Sequence, residues 1–114
     1  MSKPLGQLQK LDVNHLTQNV NEEWKNFEVS DLNDHVIRLS VIQKEFHWHS
    51  HSESDEFFFV IDGELCIDLD DRTETLKPGQ MMTIPKTVRH RTSANQRTII
   101  LCFESKANDV RGDE

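Results

Sequence analysis

The sequence predicts an all-β domain of the sandwich or barrel type. Seven short segments of strand-like composition follow one another within about seventy residues, and turn residues such as Gly, Pro and Asp separate them. The chain of 114 residues is long enough for one domain, and its 35% hydrophobic content suffices for one modest core. Because the chain has six Phe, two Trp and no Tyr, we expect this core to be largely aliphatic.

The strands are predicted from alternation and from β-branched residues. They cover residues 36–46, 56–61, 64–69, 72–76, 81–84, 88–92 and 97–103. The Asp62-Gly63 pair between the second and third segments indicates a hairpin. Upstream, the spacing of Val20, Trp24 and Phe27 suits one short helix, although residues 24–29 could equally open the first strand.

The composition excludes several classes of partner. With 13 basic and 20 acidic residues the formal charge is −7, which repels a nucleic-acid backbone. The longest apolar runs, residues 57–61 and 99–103, are far shorter than the roughly 20 residues that span a bilayer. No secretory signal is visible at the start of the sequence, and Cys66 and Cys102 match no disulfide framework. We therefore expect a cytoplasmic protein with two buried thiols and polar, mobile ends.

Charge is distributed unevenly along the chain. Residues 53–74 contain nine acids and one base, whereas residues 75–103 contain five bases and no acid. This pattern predicts neighbouring strands with complementary faces. The alternative is that Lys86, Arg89 and Arg91 form a mouth that attracts an anionic substrate. Strand parity favours the first interpretation, since it places Arg89 and Arg91 on the face opposite to His90.

Histidine is the most informative residue type. His47, His49 and His51 alternate with other residues, so in an extended chain they share one face and can bind one ion together. Acidic residues follow at once, and His90 lies in a separate strand-like segment. Neutral imidazole suits transition metals, and a carboxylate adds a hard oxygen ligand.

The spacing of these residues resembles the two sequence motifs of the cupin superfamily. The first is matched by His49-x-His51, four residues, Glu56, six residues and Gly63. The second is matched by a glycine, five residues, a proline, four residues and a histidine, at Gly79, Pro85 and His90. The resemblance spans residues 43–94. Three backbone or turn positions depart from the family pattern, namely Gln43, Thr87 and Ala94.

The first motif can also be matched in a second register, two residues earlier for the histidines. His47, His49 and Glu53 also have suitable spacing, but that register requires glycine at position 60, where the chain has Val60. The register that ends at Gly63 is therefore preferred. The resemblance then implies four metal ligands, which are His49, His51, Glu56 and His90. His47 is expected beside the ligands or at the entrance, where it is the candidate catalytic residue.

Similarity to cupins implies a small β-barrel, a double-stranded β-helix or jelly roll, with the metal inside. We expect an N-terminal extension over residues 1–30, the barrel over 31–105 and a tail over 106–114. The metal is expected to be one divalent ion of Fe, Mn, Ni or Zn, and four protein ligands leave about two octahedral positions open. Parity predicts an apolar lining, in which Phe58 and Val60 accompany Glu56 while Val88 and Thr92 accompany His90.

These expectations lead to three hypotheses about function. The first is a metal-dependent enzyme of the dioxygenase type that acts on a small molecule. The second is an isomerase or lyase for a small sugar or acid, which needs an inward cation such as Arg38. The third is a non-catalytic module that binds a metal or small ligand. A homodimer is also expected by resemblance, through a sheet face or the apolar segment 8–29.

Overall fold

Two antiparallel β-sheets form the fold in the computed structural model, which describes residues 7–108. The elements are α1 (Val13–Thr17), β1 (Trp24–Leu32), β2 (His35–Ile42), β3 (Glu56–Asp62), β4 (Leu65–Asp68), β5 (Thr73–Leu76), β6 (Met81–Ile84), β7 (Arg91–Ser93) and β8 (Thr98–Ser105). The larger sheet has the order β1-β2-β8-β3-β6, and the smaller one has the order β5-β4-β7. The predicted all-β class is confirmed. No helix within residues 7–108 is long and apolar enough to span a membrane.

Each of the seven predicted segments contains or overlaps a strand, but the N-terminal region differs from the helical interpretation. A helix over Val20, Trp24 and Phe27 is wrong, and the alternative of an opening strand is correct, because β1 begins at Trp24. The only helix among the described residues lies earlier, where the Asp12 side chain accepts a hydrogen bond from the His15 backbone N–H at 3.0 Å. β1 also crosses residue 30, so the larger sheet includes part of the segment assigned to the N-terminal extension.

The turn at Asp62-Gly63 connects the two sheets. The sequence predicts a hairpin here, but β3 pairs with β6 and β8, whereas β4 pairs with β5 and β7. Gly63 has φ +87°, and a Cβ atom there would lie 2.6 Å from the Arg97 carbonyl oxygen. The glycine is therefore required by a close crossing of two chain segments, in addition to the turn itself.

Two hydrophobic clusters lie on opposite faces of the larger sheet, as the alternation of side chains along a strand requires. The inner cluster lies between the sheets and consists of Ile42, Phe58, Val60, Leu65, Ile67, Leu76, Ile84, Ala94, Ile100 and Cys102. The outer cluster is centred on Val29, Leu39, Val41 and Ile99, and residues of α1 pack against it. The apolar side chains of the N-terminal segment thus cover part of this chain's own sheet.

The acidic and basic segments meet as predicted. β4 pairs with β7, and the Arg91 guanidinium donates two hydrogen bonds, of 2.9 and 2.8 Å, to Asp68 Oδ2. Arg89 Nη1 lies 3.7 Å from Asp70 Oδ1. Arg91 contacts β4 and Arg89 contacts the turn that follows β4, so both arginines lie against acidic side chains and do not form an anion-attracting mouth. Of the ends predicted to be mobile, residues 1–6 and 109–114 lie outside the described residues.

Candidate metal centre

The four residues selected from the motifs come from three separate parts of the chain. His49 and His51 lie in the irregular segment between β2 and β3, Glu56 opens β3, and His90 immediately precedes β7. The backbones of His49 and His90 exchange two hydrogen bonds of 2.9 Å, which form an isolated antiparallel bridge. This bridge attaches the irregular segment to the strand that follows His90 and brings the two halves of the cluster together.

The four side chains converge in the interior of the protein. One ligand atom from each of His49, His51, Glu56 and His90 lies within 4.8 Å of all the others. Glu56 Oε1 is 3.1 Å from His51 Nε2 and 3.4 Å from His90 Nε2. None of the four residues is more than 4% exposed. The structure therefore brings together the set that the motif spacing indicated.

Two hydrogen bonds define which imidazole nitrogens are available. His49 Nδ1 lies 2.9 Å from the His47 carbonyl oxygen, and His90 Nδ1 lies 3.0 Å from the Val88 carbonyl oxygen. A carbonyl oxygen can only accept, so in each case Nδ1 carries the proton and donates. The neutral rings consequently direct the lone pairs of their Nε2 atoms into the cluster, as ligation requires.

The local environment keeps these groups in the protonation states that metal binding needs. Burial lowers the pKa of His49 to about 4, so its imidazole is neutral at neutral pH. Burial also acts to raise the pKa of Glu56, but the adjacent rings of His51 and His90, which in their protonated forms would donate to the carboxylate and carry positive charge, outweigh burial and hold the pKa at about 2. Glu56 is therefore a carboxylate, and no proton has to leave it before a cation binds.

The donor set fits a transition metal ion on physical grounds. Glu56 Oε1 and His90 Nε2 are buried and have no hydrogen-bond partner among the described residues. When His90 donates through Nδ1, its Nε2 lone pair faces the Glu56 oxygen across 3.4 Å, so two acceptors oppose each other. Such an arrangement is costly in a buried site unless a proton or a cation lies between them. Three imidazoles and one carboxylate suit Fe, Mn, Ni or Zn.

The cavity that borders this cluster is small. Its volume is about 30 Å³, roughly that of one water molecule, and the space that its lining residues surround reaches about 360 Å³ only when the part open to solvent is included. His49 and Glu56 line it, and most of its wall consists of apolar side chains of the inner cluster. The lining residues that are partly exposed are Trp24, Asn26 and Phe46, so the mouth lies beside them. The rings of Trp24 and Phe46 stack with their centroids 5.6 Å apart. A small molecule can thus approach the cluster from this side.

The parity predictions for the lining are mostly correct. Phe58 and Val60 are buried with Glu56, and Thr92 is buried and lines the cavity. Val88 is 37% exposed, so its predicted place in the pocket is wrong. The reason is that Thr87 adopts φ +71°, which breaks the alternation of an extended strand before His90. Of the two thiols expected to be buried, Cys102 is buried and Cys66 is half-buried.

His47 lies outside the ligand cluster. It is exposed, its ring centroid is 5.2 Å from that of His49, and its backbone carbonyl accepts the His49 Nδ1 proton. It is not among the residues that line the cavity. The His47 ring also lies against Phe46, with ring centroids 4.2 Å apart, so His47 is beside His49 and next to the mouth of the cavity.

A second buried polar cluster lies beside the first one, and the sequence motifs do not reveal it. Glu104 on β8 is the register partner of Glu56 on β3. Arg38 Nε lies 3.1 Å from Glu104 Oε2, and Asn108 Nδ2 donates to Glu104 Oε1 at 3.0 Å. Burial, followed by the charge of Glu56, raises the pKa of Glu104 to about 7. A recognisable signal is a glutamate within an otherwise apolar strand, on the parity that faces the inner cluster.

Asn26 and Ser40 also line the cavity and were not singled out from the sequence. They are register partners on β1 and β2, and Asn26 Nδ2 donates to Ser40 Oγ at 2.6 Å. Their proximity depends on strand pairing between residues fourteen positions apart. If residues 24–27 are interpreted as a helix, the pairing of Asn26 with Ser40 cannot be predicted.

Comparison with known proteins identifies the class to which this fold and site belong. The cupin domain model matches residues 36–103, and the chain therefore belongs to the cupin family. The predicted cupin β-barrel of the jelly-roll type is confirmed. The chain is 45% identical over 92 residues to uncharacterized protein YdbB of Bacillus subtilis (strain 168), covering 80% of this chain and 81% of that protein.

Structural and partial sequence similarities agree with this assignment. The crystal structure of a cupin-2 domain containing protein from Shewanella frigidimarina superposes with a TM-score of 0.80 at 32% identity, covering 84% of this chain and 94% of that one. A shorter similarity to polyketide synthase CurC of Streptomyces cyaneus shows 44% identity over 43 residues, which is 38% of this chain and 28% of that protein.

Proposed function

We propose that this cupin is a metal-dependent enzyme that acts on a small organic molecule, with one divalent transition metal ion held by His49, His51, Glu56 and His90. The observation that carries the proposal is the opposition of two buried acceptors, His90 Nε2 and Glu56 Oε1, beside a cavity that opens to solvent. A bound divalent metal with open positions would supply Lewis-acid or redox chemistry there.

The protein's own residues give this site its selectivity for small molecules. His49 and Glu56 face the cavity, so a molecule inside it lies directly against two of the four ligands. The cavity wall around these two residues is apolar and includes Phe58, Ile100 and Cys102. This wall keeps the number of water molecules in the cavity low. Exclusion of water strengthens electrostatic interactions with the bound molecule and protects reactive species from hydrolysis.

The dioxygenase type is the specific form of the proposal, and the position of Arg38 supports it over the isomerase or lyase alternative. Arg38 points into the barrel, but its guanidinium lies 3.1 Å from Glu104 and 3.6 Å from Glu28. The lining contains no Lys or Arg within the described part of the chain. An anionic sugar or acid would therefore find no uncommitted cation in the cavity.

Non-catalytic binding of a metal or small ligand is the second candidate. The cavity lining favours this candidate, because it contains few titratable groups. Among the described residues these groups are His49, Glu56 and Cys102. Two of these belong to the metal-ligand set, and burial raises the pKa of the Cys102 thiol well above its usual value. The cavity lining therefore offers no dedicated general base among the described residues.

Metal analysis tests the site itself. Protein purified without chelator should contain about one equivalent of a divalent transition metal by elemental analysis. His51→Ala should lose it, whereas His47→Ala should retain it, because the main chain of His47 accepts the His49 proton. Absence of metal from the wild type under metal-replete expression, or equal retention in both variants, would refute the assignment.

Oxygen consumption tests the reaction type. Fe(II)-loaded protein is supplied with β-diketones, catechols and polyphenols, the last chosen because one partial relative is named a polyketide synthase. The proposal expects substrate-dependent oxygen uptake that His51→Ala abolishes. Metal binding without uptake on any member of the panel would favour the non-catalytic candidate.

We also propose a cytoplasmic homodimer. Its cytoplasmic location is supported by the two free cysteines. Association is supported by an apolar row on the outer face of the larger sheet beyond α1, where Phe59 pairs with Met81 on one side and with Leu101 on the other. Met81 is 56% exposed there. A second copy of the chain is the occupant proposed for this face.

A further inference from the structure

Asn26 and Ser40 form a hydrogen-bonded pair in the wall of the cavity that borders the metal centre. They belong to β1 and β2, whereas Glu56 belongs to β3, and β8 lies between β2 and β3. Strands in a sheet are about 4.8 Å apart, so the main chains of β2 and β3 are separated by roughly 10 Å. The cavity therefore presents a metal cluster and a separate polar pair to the same small molecule.

The pair retains hydrogen-bonding capacity. Asn26 Nδ2 donates to Ser40 Oγ at 2.6 Å, which uses one of the two amide N–H groups. The amide oxygen and the hydroxyl proton of Ser40 are further hydrogen-bonding groups. Ser40 is 3% exposed and has Ile42 and Ile100 as neighbours in the cavity lining. Polar groups in such surroundings are costly unless a partner satisfies them, so they discriminate strongly between polar and apolar ligands.

The charges around the cavity determine which polar group fits. The residues of 7–108 that line it include no Lys, Arg or Asp, and Arg38 is engaged by Glu104 and Glu28. A carboxylate or phosphate that reaches the buried Ser40 would be desolvated without a counter-charge. An uncharged hydroxyl or carbonyl would instead accept from or donate to the pair at no such cost.

We propose that Asn26 and Ser40 determine substrate specificity by recognising an uncharged hydroxyl or carbonyl group at the end of the substrate away from the metal. The inference rests on the proposed function, because it assumes that the other end of the substrate approaches His49, His51, Glu56 and His90. The substrate class is thus a small, uncharged molecule with a metal-binding group at one end and a hydrogen-bonding group at the other.

Three hydroxamates of similar length test this inference, since each chelates a metal through the same two oxygens. Butyrohydroxamate ends in methyl, 3-hydroxypropionohydroxamate ends in hydroxyl, and succinic monohydroxamate ends in carboxylate. Their dissociation constants are measured by calorimetry on full-length protein loaded with Zn(II), which has no redox chemistry. Metal content is measured on the same samples. We expect the hydroxyl compound to bind roughly tenfold more tightly than the methyl compound, and the carboxylate to bind most weakly.

Two variants and one control assign the preference to the pair. Ser40→Ala and Asn26→Leu should each retain the metal and bind butyrohydroxamate as well as the wild type does, while the preference for hydroxyl disappears. Ser30→Ala removes a hydroxyl from β1 outside the cavity lining and should leave the preference intact. Ser40→Ala is a small change and keeps the test valid if Asn26→Leu fails to fold.

The outcomes separate this inference from the proposed function. Loss of metal binding by the wild type would refute the metal centre and the inference together. Metal-loaded wild type that shows no preference, prefers the carboxylate or binds none of the hydroxamates would overturn the inference and leave the metal centre standing. A preference for the hydroxyl compound that survives in both Ser40→Ala and Asn26→Leu would also overturn the inference.

Discussion

The backbones of His49 and His90 exchange a pair of 2.9 Å hydrogen bonds, and the side chains of both residues point into one ligand cluster. His49 Nδ1 and His90 Nδ1 each donate to the carbonyl two residues earlier in the chain. The same local hydrogen bond thus sets both the tautomer and the ring orientation of two candidate ligands. Because the bridge is formed by main chain, it positions the site independently of whether a metal is bound.

Metal binding should stabilise the fold, since the ligands meet only in the folded state. At a free metal concentration one hundred times the dissociation constant, the gain is about 2.7 kcal/mol, which corresponds to a melting-temperature increase on the order of 10 °C. Calorimetric scans of chelator-treated protein with and without Zn(II) measure it. His90→Ala should lose the increase, and His15→Ala, an exposed histidine on α1, should keep it. An equal increase in both variants would contradict the assigned ligands.

Dimerisation can be tested on the apolar row of the outer sheet face. Met81→Lys places a charge among Phe59 and Leu101, so we expect it to convert a dimer into a monomer in light scattering coupled to gel filtration. Met81 is 56% exposed, and its replacement should therefore affect folding little. Thr75→Lys on the smaller sheet is the control and should remain dimeric. A wild type that is monomeric at high concentration would remove the basis of the proposal.

The side-chain cluster of the candidate metal centre could be predicted because the motif spacings that indicate it are local. The spacing of His49, His51 and Glu56 is preserved whether or not the intervening residues form a strand. The secondary structure of the N-terminal region is harder to predict, because the spacing of three between Trp24 and Phe27 is also typical of one face of a helix. In the structure these two side chains lie on opposite faces of β1, one against the inner cluster and one against the outer cluster. A strand with both faces buried lacks the alternation that would identify it.

Other features depended on pairing between distant residues. Glu104 lies next to Glu56 only because β8 pairs with β3, and Asn26 reaches Ser40 only because β1 pairs with β2. The Asp62-Gly63 turn is typical of a hairpin, yet the strands on its two sides enter different sheets. Local sequence specifies the turn geometry, whereas the partners of the flanking strands depend on the whole chain.

The two described glycines with positive φ provide a matched test of the close crossing at the turn between the sheets. Gly63 and Gly79 have nearly the same φ, +87° and +86°, but only at Gly63 would a Cβ meet other atoms within 4 Å. Gly79→Ala should therefore cost about 1–2 kcal/mol for the left-handed backbone alone. Gly63→Ala should cost more, because the backbone at Arg97 must also move. Urea denaturation measures both, and equal losses would show that the crossing imposes no additional constraint.

The raised pKa of Glu104 predicts an unusual dependence of stability on pH. The pKa of this carboxyl rises from an ordinary 4.5 to about 7 in the folded protein, through burial and then the charge of Glu56. The folded state therefore holds the proton more tightly than the unfolded state does. The contribution of Glu104 to the free energy of unfolding is fully present below pH 4.5 and is lost as the pH rises towards 7, by up to roughly 3 kcal/mol.

Glu104→Gln isolates this contribution, because glutamine has similar shape and does not titrate. In chelator-treated protein, the stability of Glu104→Gln relative to the wild type should rise between pH 4.5 and 7. His49, whose pKa burial lowers to about 4, contributes a slope of the opposite sign, but it is present in both proteins and cancels in the difference. Denaturation curves at four or five pH values provide the measurement. Parallel profiles would mean that Arg38, 3.1 Å away, keeps Glu104 ionised over the whole range and offsets the repulsion from Glu56.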